Sequence, residues 1–200
     1  MNLSWKRAYS NHLIRIDLSP FYNNISQLIT LAENESIYTY VNIGDYRTLG
    51  SKFNIFFGKH DLQCNVGSSY IGRYNKLSET ESVNAYDFSL EYNSNISYNI
   101  SKIDLDISLF YKYTGKLPSY VLDNEGNVQN SFIDDYNLLD FSFSKYILAK
   151  KVNIMIGCKN IFNVMDIAAN IDGSSSHSSS SNSIDVGYGR SFFTAIKWNL

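Results

Sequence analysis

The chain has 200 residues, enough for one domain with a sizeable core or for a piece of something larger, and its formal net charge of −2 gives no electrostatic case for a nucleic-acid partner. Its 16 tyrosines and 12 phenylalanines, with only 2 prolines, are typical of β-structure. No run approaches the roughly 20 apolar residues of a membrane helix, although a β-barrel could still place an apolar band at alternate positions.

Alternation of apolar and polar residues predicts strands along the whole chain, and no segment has a convincing helical period. The first, around Leu3 and Trp5, looks like the second half of a strand. The clearest is 102–113, where six consecutive odd positions are apolar or aromatic. The pattern predicts about eight full strands after the initial half strand. The other predicted strands lie at 14–19, 49–57, 62–67, 86–93, 139–144, 152–159 and 189–200.

Short and long connections alternate between the predicted strands. The short turns lie at 58–61, 95–101 and 148–151. The longer, polar links lie around 31–37, 76–82, 116–131 and 166–187. No connection carries a crossover helix, so all strand pairs are predicted to be antiparallel. This arrangement predicts an up-and-down sheet with short turns at one end of the strands and long loops at the other, as in outer-membrane barrels.

Two features favour a transmembrane barrel over a soluble β-sandwich, whose strands would also alternate. Strands of 10 or more residues match a tilted membrane crossing of about 9–11 residues. The predicted apolar face is nearly free of charge. If that face meets the bilayer midplane, Leu105→Arg should cost about 2–4 kcal/mol, whereas Ser108→Arg should be tolerated. The sandwich, as a binding module, predicts solubility without detergent. Tyrosines expected in an aromatic girdle are Tyr22, Tyr38, Tyr40, Tyr70, Tyr111 and Tyr113.

Two C-terminal motifs resemble those of TonB-dependent outer-membrane receptors. Residues 157–164, GCKNIFNV, resemble the Gly-x-Lys/Asn-Asn-Leu/Ile-Phe-Asn/Asp signature that ends the penultimate strand of these receptors. The final GRSFFTAIKWNL resembles their last strand, which is recognised during barrel insertion. The motif positions are Gly157, Lys159, Asn160, Ile161, Phe162, Asn163, Gly189 and Arg190. The positions that the resemblance assigns to barrel assembly are Phe192, Thr194, Ile196, Trp198 and Leu200.

Further segments extend the resemblance over essentially the whole chain. Residues 18–29 and 40–55 are similar to strands of the same receptors, although Lys52 stands where an acidic residue is usual. Residues 111–128 and 134–147 resemble the versions found in the Bacteroidetes group.

The resemblance implies an all-β fold, an antiparallel up-and-down transmembrane β-barrel segment of about eight strands plus an initial half strand. Residues 1–200 would form the C-terminal part, about the last third, of a roughly 22-stranded receptor barrel whose plug domain is absent. The implied location is the bacterial outer membrane. The implied function is active uptake of a scarce nutrient, a ferric siderophore or another iron complex such as heme, with cobalamin as a rival.

The resemblance also implies the partners. They are outer-membrane lipid, the missing N-terminal barrel and plug of the same receptor, the barrel-assembly machinery and, through the plug, an inner-membrane TonB-type energising complex. The alternative is a free-standing small outer-membrane β-barrel with a structural or adhesive role, because eight strands can close into a barrel.

No enzyme, metal or cofactor site is predicted. His12 and His60 are expected in turns and His177 in a flexible Ser-rich loop, without metal-ligand spacing. Residues 123–127 lack the remaining ligands of a calcium loop and are expected to form a hairpin tip. The residues Cys64 and Cys158 are expected to act as small apolar side chains, and Asp87, Glu91, Asp104 and Asp106 to keep a barrel interior wet.

Overall fold

The computed structural model describes residues 1–34, 37–75, 86–122, 125–171, 182–185 and 187–198. Strands dominate these ranges, and within them no helix is long and apolar enough to cross a membrane. A short 3-10 turn is formed by Ser101–Ile103. The strands are β1 (Leu3–Tyr9), β2 (His12–Ile25), β3 (Ile29–Asn34), β4 (Ile37–Asn42), β5 (Tyr46–Lys59), β6 (Leu62–Asn75), β7 (Asp87–Ile100), β8 (Leu105–Thr114), β9 (Leu117–Leu122), β10 (Val128–Ile133), β11 (Tyr136–Ile147), β12 (Val152–Lys159), β13 (Asp166–Ile171), β14 (Asn182–Asp185) and β15 (Ser191–Trp198).

Nine long strands form one antiparallel sheet, here called the wall sheet, in the order β1-β2-β5-β6-β7-β8-β11-β12-β15. Four of them have 14 residues, more than the roughly 9–11 of a membrane crossing. Short turns join them at one end, at 10–11, 60–61, 101–104 and 148–151. The other end carries the long connections. The predicted half strand, full strands and up-and-down order are therefore confirmed.

The register gives the wall sheet two chemically different faces, because side chains of paired residues share a face. One row of partners crosses eight strands and is apolar throughout. It consists of Ile14, Phe57, Cys64, Ile96, Leu109, Phe141, Cys158 and Phe192. The neighbouring row, displaced by one residue, is small or polar over much of its length. It includes Gln63, Ser97, Ser108, Ser142 and Gly157. We call the two sides the apolar face and the polar face.

Two predicted boundaries were wrong at the turn between β7 and β8. The structure continues β7 to Ile100 and begins β8 at Leu105, so the turn is not at 95–101 and residues 102–104 are not in the strand. Asp104 adopts a left-handed backbone with φ of 49°. Its carbonyl accepts a hydrogen bond from the backbone N of Tyr146, and its carboxylate lies 3.2 Å from the Lys150 ammonium. These contacts favour the chain reversal over the strand that alternation predicted.

The prediction for His12 was also wrong, since this residue begins β2 instead of lying in a turn.

Six short strands form a second sheet, here called the loop sheet, in the order β14-β13-β10-β9-β3-β4. They belong to the links around 31–37, 116–131 and 166–187, which were predicted as polar connections. The link at 76–82 lies wholly outside the described residues. The loop sheet has its own core of Ala32, Ile43 and Tyr120. Glu33 and Val121 meet in a parallel contact between β3 and β9. Links far apart in sequence thus pack together at the long-loop end.

Candidate functional site

The apolar face of the wall sheet is exposed over most of its width. Trp5 is 48% exposed on β1, and at the opposite edge Phe192 is 78% and Ile196 71% exposed. Among the described residues, charged side chains on this face lie only near its two ends: Arg7, Arg47, Lys59 and Lys145. An apolar surface of this extent marks an interaction with a membrane or another apolar partner.

The polar face is connected by hydrogen bonds and ion pairs between neighbouring strands. Asn54 Nδ2 donates to Asn65 Oδ1 at 3.0 Å. Near the loops, the Arg73 guanidinium donates to Ser89 and lies 3.3 Å from Glu91. Polar groups that satisfy each other in this way are typical of a water-facing barrel interior.

Two cavities open on the polar face. The larger, about 510 Å³, lies towards the long-loop end. The smaller, about 210 Å³, includes Glu91 and Lys112. Lys52 lines both, and its ammonium lies 5.8 Å from the centre of the Phe21 ring. The larger cavity is lined by Ser19, Pro20, Phe21, Asn23, Thr48, Lys52, Ile71 and Arg73, a mixed polar and aromatic surface with two cations.

A third cavity, of about 540 Å³, lies where the wall sheet meets the chain that leaves β12. Its wall is aromatic and acidic, with Tyr111, Tyr136 and Phe162 beside Asp134 and Asp135. Lys116 lies 3.5 Å from Asp134. The sequence analysis included these aspartates in the receptor-like stretch 134–147 but did not single them out as a site.

The two C-terminal motifs come together after β12. The backbone turns through Asn160 and Asn163, which have positive φ values of 52° and 59°. The Asn160 side chain contacts Val164 twice, donating from Nδ2 to the backbone O at 2.7 Å and accepting from the backbone N at Oδ1 at 3.0 Å. Its own backbone N donates to Asp140 Oδ1 at 2.7 Å. Asn160 therefore stabilises the turn internally, through Val164, and also connects the turn to β11 through Asp140.

The second motif is attached to this turn through Arg190. Its backbone N donates to Asn163 Oδ1 at 2.9 Å, and its Nε and Nη2 both donate to the Ile161 carbonyl, at 3.0 and 2.5 Å. Gly189, with φ of 70°, allows the close approach, since a Cβ there would lie 2.9 Å from Asn163 Oδ1. The signature residues thus fasten the start of β15 to the end of β12.

Gly157 and Phe193 explain an exception in the terminal strand. Phe193 is the one large apolar residue on the polar face of β15, and it pairs with Gly157. Its ring occupies the space that a side chain at Gly157 would need. The ammonium of Lys159 lies 5.7 Å from the ring centre.

The other predicted assembly positions behave as alternation requires. Thr194 and Trp198 share the apolar face with Phe192 and Ile196. Leu200 lies outside the described residues, as does His177.

The predicted aromatic girdle is confirmed only in part. Tyr22, Tyr70, Tyr111 and Tyr113 lie on the apolar face towards the long-loop end, where Tyr70 stacks on Phe88 with ring centres 4.9 Å apart. In contrast, Tyr38 and Tyr40 belong to β4 of the loop sheet, because their link folds into a hairpin instead of continuing a wall strand.

The four carboxylates expected in a barrel interior do not form one cluster. Asp104 is in a turn, whereas Asp106 lies on the polar face and accepts from Asn99 Nδ2 at 2.5 Å. Asp87 and Glu91 lie near the opposite end, on β7. In the described part of the chain, no group of three or more His, Cys, Asp or Glu residues could hold a metal ion.

These features define a class of protein: the wall of an antiparallel outer-membrane β-barrel, with an exposed apolar face and a hydrogen-bonded polar face. The sequence model of the Outer membrane protein beta-barrel family matches residues 2–194, and the chain belongs to that family. It lies in the outer membrane with the apolar face towards lipid. No curated protein matches the sequence.

The chain spans less than a third of the length of three solved structures that it resembles in fold. The FrpB iron transporter from Neisseria meningitidis matches with a TM-score of 0.62 and 15% identity, over 98% of this chain and 30% of that chain. FpvAI in its complex with pyocin S2 matches with a TM-score of 0.61 and 14% identity, over 98% and 27%. FpvA of P. aeruginosa bound to heterologous pyoverdines, in an Fe complex, matches with a TM-score of 0.59 and 14% identity, over 94% and 26%.

Proposed function

We propose that residues 1–200 form the C-terminal wall of a TonB-dependent receptor that imports a ferric siderophore or another iron complex. The observation that carries the proposal is the joining of the two receptor-like motifs through Asn160, Asn163 and Arg190. Two similar structures also support it, one of an iron transporter and one of a protein bound to an iron-containing pyoverdine. Heme and cobalamin are the rival cargoes, and an origin in the Bacteroidetes group stays a prediction.

The strand count supports a wall that continues into a larger barrel. An up-and-down sheet of nine strands has first and last strands that run in the same direction, and in the described residues β1 and β15 do not pair. Bacterial single-chain barrels usually have an even number of antiparallel strands. The rest of the barrel and a plug would therefore be supplied by further chain, and the plug would contact the TonB-type complex.

The polar face supplies surfaces suited to cargo or plug. Lys52 and Arg73 line the cavity of about 510 Å³ near the long-loop end, where an iron chelate would enter. The role proposed for β15 is recognition by the barrel-assembly machinery through Phe192, Thr194, Ile196, Trp198 and Leu200. None of these roles requires an enzymatic step.

The decisive experiment deletes the region encoding residues 1–200 in the producing bacterium and follows ⁵⁵Fe supplied as ferric siderophores to iron-starved cells. We expect loss of uptake that a protonophore also abolishes, and restoration by the intact gene. The mass of the outer-membrane product should exceed that of 200 residues by a plug and the earlier strands.

Unchanged uptake of ferric siderophores, heme and cobalamin, together with a product of about 200 residues, would overturn the receptor proposal. The free-standing barrel with a structural or adhesive role would then be the better interpretation.

A further inference from the structure

A group of outward-facing side chains lies at the short-turn end of β1, β2 and β5. Tyr9 of β1 pairs with His12 of β2, which pairs with Lys59 of β5. One step further from the turns, Arg7 and Phe57 flank Ile14 on the same face. We call Arg7, Tyr9, His12, Phe57 and Lys59 the turn-end cluster.

Aromatic contacts connect the turn-end cluster across three strands. The Arg7 guanidinium carbon lies 5.0 Å from the centre of the Tyr9 ring. Tyr9 stacks on His12 with ring centres 4.5 Å apart. The ring centres of His12 and Phe57 are 6.2 Å apart. Aromatic rings are enriched at the membrane–water interface because one end is apolar and the other polar. The cluster therefore lies at headgroup level, beside the apolar band that begins with Trp5 and Ile14.

The positive charge of the turn-end cluster is not balanced by a carboxylate among the described residues. In the described part of the chain, neither Arg7 nor Lys59 has a carboxylate within ion-pair distance. The acids of the adjoining turns have other partners. Asp61 accepts from Ser101 Oγ at 3.0 Å and contacts His60 at 3.2 Å, and Asp104 is paired with Lys150.

We propose that the turn-end cluster binds the phosphate of an anionic phospholipid in the periplasmic leaflet. Short turns of outer-membrane barrels face the periplasm, so this end of the apolar face meets phospholipid headgroups. β1 and β5 lie on either side of β2, about 10 Å apart, so that Arg7 and Lys59 can approach one phosphate from two sides. Tyr9, His12 and Phe57 form the floor below it. The site depends on the membrane location and not on the proposed transport function.

Tryptophan fluorescence can test the site directly. The test uses the full-length protein with every tryptophan except Trp5 replaced by phenylalanine, Trp198 included, so that Trp5, two residues before Arg7 on the same face, is the single reporter. The protein would be reconstituted into bilayers that contain equal fractions of brominated phosphatidylglycerol or brominated phosphatidylcholine. Bromine quenches only nearby indoles, so the quenching ratio reports which lipid occupies the site.

We expect about a fivefold preference for phosphatidylglycerol or more, because one basic side chain near an anionic surface contributes about 1 kcal/mol. The double variant Arg7→Gln/Lys59→Gln should bring the ratio close to one. The matched control, Lys6→Gln/Lys197→Gln, removes the same charge from the polar face and should keep the preference. Folding of each variant is checked by its heat-dependent migration on gels.

Two outcomes would overturn the proposal. Equal quenching by both lipids in the parent protein excludes the site without any variant. An equal loss of preference in the control pair would show that net charge, and not the turn-end cluster, selects the lipid.

Discussion

The wall sheet and the loop sheet are both hydrogen-bonded β-sheets, but different interactions specify them. Wall strands have up to 14 residues, and one face is apolar across the sheet. Loop strands have 4–6 residues and are organised around Ala32, Ile43 and Tyr120, which lie in two separate links. The wall is therefore specified locally, strand by strand, whereas the loop sheet depends on long-range packing of a few side chains.

The largest effect expected from this difference is a local one. Ile43 is 1% exposed in the loop-sheet core, and Ile43→Ala should cost about 2–5 kcal/mol because it leaves a cavity. Hydrogen exchange should accelerate in β3, β4 and β9 while β7 and β8 stay protected. Ile29→Ala, at a site that is 64% exposed on β3, is the control and should change little. Loss of protection in β7 would show that the two sheets unfold as one unit.

A charge in the lipid-facing band tests the wall. Leu109 is in the middle of β8, so Leu109→Arg should cost about 2–4 kcal/mol. Leu105, which the sequence pattern had put forward for this test, is the first residue of β8 beside the turn, so Leu105→Arg should cost only about 0–1 kcal/mol. Ser108→Arg on the polar face should be tolerated. Urea unfolding in lipid vesicles measures all three, and an equal cost at Leu109 and Ser108 would contradict the assigned faces.

Crowding at the motif should give a somewhat smaller effect. A Cβ at Gly157 would overlap the Phe193 ring and lie 2.9 Å from the Phe141 carbonyl oxygen, so Gly157→Ala should cost about 1–3 kcal/mol. Gly187→Ala is the matched control, because a Cβ at Gly187 would have no neighbouring side-chain or backbone atom within 4 Å. Adding Phe193→Ala to Gly157→Ala should recover part of the loss. A purely additive double variant would mean that the ring and the glycine do not interact.

The smallest expected effect concerns pH at the short turns. Hydrogen bonds from His60 and Ser101 hold the pKa of Asp61 below its ordinary value of 3.8. Because the pKa is lower in the folded protein, the contribution to stability is present above about pH 4 and is lost as the pH falls through the folded pKa. Carbon NMR titration of the Asp61 carboxyl should show this lowered pKa, and Ser101→Ala should raise it. A pKa unaffected by Ser101→Ala would contradict the role of that hydrogen bond.

Errors of the sequence-based prediction occur where the chain leaves the wall. Asp104 was placed on a strand because alternation continues through it, but its left-handed backbone and the Lys150 contact belong to a turn. Tyr38 and Tyr40 were assigned to a girdle, although they belong to β4. The alternation of apolar and polar residues does not distinguish a short strand in a loop from the end of a wall strand. Over two or three residues the pattern is the same in both.

The candidate site was predictable in identity but not in geometry. Residues such as Asn160 and Arg190 were found through the resemblance of their motifs. Their mutual contacts, and those with Asp140 and the Ile161 carbonyl, required the folded chain, because the contacting residues of the two motifs are 27–29 positions apart in sequence. The turn-end cluster was not predicted at all, since Arg7 and Lys59 become neighbours only through the pairing of β1, β2 and β5.

The sequence by itself determined the all-β class, the strands of the wall, their two faces and the alternation of short and long connections. A two-residue period is a local property, and it specifies a face wherever one side must meet an apolar environment. Only the tertiary structure decided that the long links form a second sheet, which of the polar-face groups pair, and how the C-terminal motifs join. These features depend on contacts between segments that are distant in sequence. No local pattern encodes which of these segments come together when the intervening loop closes.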